Sequence, residues 1–120
     1  MKDYSAMSDF EINKAVAILV RPEIRGWDCH DISGRACFVI NSNTSKRVQF
    51  GFSFTSDPAD AWPIIVANSI DIIQDNGLGC AIATSSAVQM FQREDVHIEQ
   101  DENGLRAAMV VYLQMIEQKS

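Results

Sequence analysis

The chain has 120 residues, 47% apolar and 22% charged, with a formal net charge of −6. That is one domain with enough apolar surface for a core, and its acidic balance opposes nonspecific binding to nucleic acid, which works by neutralising phosphates. No apolar run is long enough to span a bilayer, and Met1 to Asp9 lacks the apolar stretch of a signal peptide.

In chain order, Ser8-Asp9-Phe10-Glu11 is a capping box, with Ser8 at the N-cap and Glu11 at N3. Ile12, Val16 and Leu19 follow at helical spacing, Asn13 and Lys14 face away, and Pro22 stops the run. This predicts a helix over 9–20. Residues 21–35 show no periodicity and read as a loop, long enough to be a candidate functional loop or lid. Ala36 to Asn41 is a short β-rich run, and 41–45 is a turn. Val48, Phe50, Phe52 and Phe54 then alternate with Gln49, Gly51 and Ser53, which predicts a strand with one aromatic face. The two runs form a hairpin.

Asp57-Pro58 starts a second helix: Asp57 caps it, Pro58 fits N1, and Asp60 falls at N3 near the positive end of the dipole. Pro63 should kink or restart that helix, because its ring clashes with the carbonyl four residues back. Trp62 at the bend has two readings. Packing statistics favour a wedge in the core; the functional reading is a pocket wall beside free N–H groups.

Ile70 to Ile73 reads as a strand, Asp75-Asn76-Gly77 as a turn and Leu78 to Ala83 as the partner strand. Ala87 to Arg93 fits neither period. Val96 and Ile98 alternate with His97 and Glu99 in a last strand. The turn at 101–104 leads into a final helix with the stripe Leu105, Met109, Tyr112 and Ile116. The expected class is α+β: an antiparallel sheet covered by N-terminal, central and C-terminal helices, in a single domain over 1–120.

Tyr4-Ser5, Ser8 to Asn13, Asp57 to Ile65 and Leu105 to Leu113 resemble the NinX family, small proteins of lambdoid phages and related prophages. The Pro58-Ala59-Asp60-Ala61-Trp62-Pro63 core carries most of that resemblance, while 21–55 and 74–102 look divergent. Such proteins usually have proline where this chain has Gly104. The resemblance implies an accessory protein in the cytoplasm of an infected or lysogenic bacterium. It supplies no settled activity and no catalytic residues.

Cys29-His30-Asp31 offers metal-ligand types, but adjacent residues rarely share a metal, and no Cys-x-x-Cys pair supports them. Three cysteines, Cys29, Cys37 and Cys80, read as free thiols of a reducing compartment. A serine nucleophile at Ser85-Ser86 would need His97 and lacks the Gly-x-Ser-x-Gly elbow. Gly77-Leu78-Gly79 has no following lysine and fails as a phosphate loop. The acidic residues between 94 and 102 read as a solvated rim. No cofactor and no enzyme activity is expected.

Two functions stand. In the first, the chain sequesters a small nucleotide-type ligand that a host defence uses, through Trp27, Arg25, Arg35, Asp60 and Trp62. In the second, its acidic surface inhibits or adapts a host nuclease, recombination or defence factor. A homo-oligomer is expected in either case, because the strands show little edge protection.

Overall fold

The structure is a computed structural model, and it describes residues 3–75, 80–85 and 97–119. Helix α1 (Asp9–Val20) opens on the predicted capping box. The Ser8 hydroxyl accepts the Glu11 N–H at 3.1 Å, and the Glu11 carboxylate accepts the Ser8 N–H at 3.2 Å. Asn13 does not face away. It is 0% exposed. Its amide donates to the Gly34 carbonyl at 2.8 Å and to Thr55 Oγ1 at 3.3 Å, and its oxygen accepts the Thr55 N–H at 3.1 Å. A fully bonded polar side chain is a stable core residue, which apolar periodicity cannot anticipate.

The stretch read as a loop holds a strand. β1 (Asp28–Ile32) pairs antiparallel with β2 (Arg35–Ile40), from Asp28↔Val39 to Ile32↔Arg35. Ser33 and Gly34 join them with φ of 54° and 88°, the positive values a two-residue hairpin turn uses. β1 is an edge strand with an almost wholly exposed set of side chains, so main-chain bonds hold it rather than an apolar face. β3 (Val48–Phe52) pairs with the other side of β2, as the predicted hairpin requires.

α2 (Pro58–Ala67) starts where Asp57-Pro58 places it; the Asp57 carboxylate accepts the Ala59 N–H at 3.0 Å. The helix runs through Pro63 without the expected break. Pro63 removes one hydrogen bond, to the carbonyl of Ala59, and Ala59 is exposed, so water can take that bond. Trp62 is not a core wedge: it is 58% exposed. Ala61, Ile64 and Ile65 occupy the buried side of α2, and Trp62 lies away from them around the helix.

A second antiparallel sheet follows, in the order β4 (Asp71–Asp75), β5 (Cys80–Thr84), β6 (Ile98–Asp101). The α+β class therefore holds, with the strands divided into two three-stranded sheets on either side of α2 in the sequence. The predicted turn residues 76–77 and the ambiguous run 87–93 lie outside the described residues.

α3 (Gly104–Lys119) is the central element. Asn103 caps it, accepting the Leu105 N–H at 3.0 Å and the Arg106 N–H at 3.3 Å. Gly104 seats the first turn against the second sheet: a Cβ there would lie 3.0 Å from Ile72 Cγ2 and 3.2 Å from Ala81 Cβ. Ala107 to Leu113 are all buried, because β4, β5, β6, α1 and α2 all pack on this helix. α1 in turn lies on the first sheet, so the helices join the two sheets. Arg106 locks the arrangement. Its guanidinium bonds Asp101 at 3.0 Å, Asp9 at 2.6 Å and the Ser5 carbonyl at 3.1 Å, and also meets the Met7 carbonyl.

Candidate functional site: an aromatic cleft

A cavity of about 540 Å³ opens between the end of α1, the end of β3 and one side of α2, within the size range of small-molecule sites. Its apolar wall is aromatic. Phe52 and Phe54 stack with ring centroids 5.4 Å apart and planes 8° apart, and Tyr112 of α3 joins them. The stack continues as a row: Phe50 lies 6.4 Å from Phe52, and Trp27 lies 5.8 Å from Phe50. The alternation of β3 makes this row by putting Phe50 and Phe52 on one face. Phe54, placed on the strand by its spacing, lies just beyond its end and is the most buried of the three.

Three polar side chains line the same cavity: Arg21, Asp60 and Asn68. Arg21 ends α1, and its guanidinium sits 4.6 Å from the Phe50 ring centre while bonding Glu23. Both contacts hold a cation at the mouth. Asp60 Oδ2 accepts the Ser53 N–H at 2.9 Å, which ties α2 to the chain leaving β3. Asn68 donates to the Ile64 carbonyl at 2.8 Å and closes the helix end. Burial raises the Tyr112 phenol above its ordinary value, so its hydroxyl stays protonated at neutral pH. The cleft thus offers flat apolar surface, one guanidinium already paired with Glu23, one carboxylate and one amide.

Of the five residues the sequence nominates, only Asp60 lines this cavity. Trp27 is half-buried and stacks on Phe50. Arg25 lines a separate groove of about 370 Å³ with Tyr4, Leu113 and Glu117. Arg35 lies over Gly51, with Nη2 2.9 Å from where a Cβ would stand. Trp62 points outward from α2. The arginines do not converge because α1, the β1–β2 region and the turn before β1 point them to different surfaces. Sequence reasoning missed Arg21, Phe52, Phe54, Tyr112 and Asn68 as neighbours. Each was visible alone, as a scattered cation, a strand face or a helix stripe; no local signal joins positions so far apart.

The other chemical candidates have structural partners. Ser85 Oγ accepts the main-chain N–H of His97 at 3.0 Å, and the His97 ring meets Gln118, so the two do not form a nucleophile–base pair. Cys29, Cys37 and Cys80 are unpaired. Burial raises the Cys29 thiol, the opposite of activation. Among the described residues no group of three or more His, Cys, Asp or Glu gathers as a metal site. Part of the acidic rim is engaged: Asp101 pairs with Arg106, and half-buried Glu99 bonds Gln114.

Fold and cleft together define an α+β protein with two helix-joined antiparallel sheets and an aromatic, small-molecule-sized cavity. The chain belongs to the phage family whose model is described as Bacteriophage P22, NinX; the match runs over residues 3–116. Neither the curated proteins nor the solved structures yield a significant match. No helix among the described residues is long and apolar enough to cross a membrane.

Proposed function

We propose that this phage protein binds and sequesters a small nucleotide-type ligand in the aromatic cleft, countering a host defence that uses such a molecule. The observation that carries this reading is the composition of one cavity: stacked Phe52 and Phe54 beside the Arg21 guanidinium. A base is flat and apolar on its faces, and its phosphates are anionic. The cleft matches both needs. Asp60 and Asn68 can take a ribose hydroxyl or a base amine. Sequestration needs tight binding and no chemistry, which fits a cleft whose polar groups are a cation, an acid and an amide.

A thermal shift screen with mononucleotides, dinucleotides and cyclic dinucleotides tests it. A true ligand raises the melting temperature with concentration, since binding to the folded state adds RT ln(1 + [L]/Kd). Arg21→Gln should abolish that rise while lowering the ligand-free melting temperature only slightly, because the side chain is partly exposed and an exposed ion pair contributes about 0–1 kcal/mol. Phe52→Ala should weaken it. A screen in which no nucleotide raises the melting temperature ends the reading.

A further inference from the structure

We infer that the groove between the N-terminal turn (Tyr4–Ala6), α1 and the end of α3 is a second ligand site, one that takes a small apolar zwitterion of the α-amino-acid class between Glu117 and Arg25. The groove shares no lining residue with the aromatic cleft. It measures about 370 Å³, within the range of small-molecule sites. Met7, Ile18, Leu19 and Leu113 give it apolar walls. Glu117 lines it from the last turns of α3, and its Oε2 is shut off from water and accepts no hydrogen bond. A carboxylate oxygen left in that state is costly, and the few such atoms in a folded protein point to a partner that is missing. Tyr4 does not supply it. Burial, then a hydrogen bond to Glu117 and the charge of that carboxylate, raise the Tyr4 phenol, yet Oε2 stays without a partner. The Glu117 side chain is only half-buried, and the last torsion of a glutamate is soft, so a small rotation turns Oε2 toward a donor seated in the groove.

Arg25 supplies the other half of the site. It stands in the turn before β1, lines the same groove and is exposed, with no hydrogen-bond or ion-pair partner among the described residues. A cation and an anion thus line one apolar groove without pairing with each other. A molecule that carries both charges on an apolar body matches this arrangement. Its ammonium donates to Glu117 Oε2, its carboxylate accepts from the Arg25 guanidinium, and its side chain lies on the apolar walls. Phosphate is the wrong chemistry here, because the unpartnered buried group is itself an anion. The site stands whether or not the aromatic cleft holds a nucleotide.

Titration calorimetry and thermal shift on the full chain test this, with L-leucine, L-methionine and L-phenylalanine as probes. At least one of them should bind and raise the melting temperature with concentration. Its N-acetyl derivative, which has lost the ammonium, and its methyl ester, which has lost the carboxylate charge, should not. Glu117→Gln and Arg25→Gln should each weaken binding by about tenfold or more, as the loss of a charge-assisted hydrogen bond does. Both variants should leave any nucleotide response of the cleft as it is in the wild type, so the two sites can fail independently. Arg25 is exposed, so its variant decides the matter even if Glu117→Gln disturbs the end of α3. Three results overturn the inference: none of the three amino acids binds, the N-acetyl derivative or the ester binds as well as the parent, or either variant binds like the wild type.

Discussion

From Ala107 to Leu113, α3 buries every residue, although that stretch has no polar side by which to orient it. α2 is as apolar around its circumference, yet Trp62 and Val66 stand in water. The difference lies in the neighbours. α3 has a sheet on one side and α1 and α2 on the others, whereas α2 has α3 and the cleft on one side only. All-round apolarity states how much cover a helix requires; it does not state whether that cover comes from the same chain. For α3 it does, whereas α2 keeps one side in water.

The sharpest way to break this contrast is to truncate each helix. Met109→Ala in α3 should cost about 2–5 kcal/mol in urea unfolding, the usual range for a large side chain lost from a closed core. A cost near zero would mean α3 is not the enclosed helix. Asn13→Ala should cost less, about 1–3 kcal/mol, by stranding the Thr55 N–H. The Thr55 carbonyl also accepts from Asn103, the α3 cap, so hydrogen exchange in the first turn of α3 should quicken in this variant.

Glu99 sharpens the contrast through pH. Burial beside α3 raises its carboxyl; Gln114 counters this, the charges of Asp3 and Asp101 add to it, and Arg106 opposes it. The folded state therefore holds this proton more tightly than the unfolded chain. The resulting stability is full below the unfolded value of about 4.3 and is lost as pH rises through the folded value. Glu99→Gln should raise the urea midpoint at pH 7, with the gain closing as pH falls to the unfolded value. A gain that grows toward acid would reverse the assignment.

The smallest effect is expected at Trp62. Trp62→Ala should move stability by less than about 0.5 kcal/mol, as exposed positions do. A loss of core size would restore the wedge and erase the difference between the helices.

Much of the scaffold was legible in the sequence. Ser8 and Glu11, Asp57 and Pro58, and the alternation from Val48 to Phe52 each announce their element by local chemistry. β1 was not legible, because an exposed edge strand needs only main-chain partners and its Asp28-Cys29-His30-Asp31-Ile32 shows no apolar period. Buried Asn13 was not legible either, since its partners Gly34 and Thr55 lie 21 and 42 residues away. The orientation of Trp62 is undetermined by pattern because α2 has apolar residues at every angle. The cleft fared worst: it is assembled from α1, β3, α2 and α3, and only Asp60 had been nominated.

The position of α3 also sets when the fold can close. α3 is the last described element in chain order and the one on which the others close. Arg106 finds Asp9, Ser5 and Met7 at separations of 97, 101 and 99 residues. Contacts of that span must first meet the entropy of closing a long loop, which slows folding. Until residues 105–113 are present, the second sheet and the sides of α1 and α2 that meet α3 hold apolar surface without cover, the condition in which partly folded chains aggregate. The core therefore closes only once α3 is present.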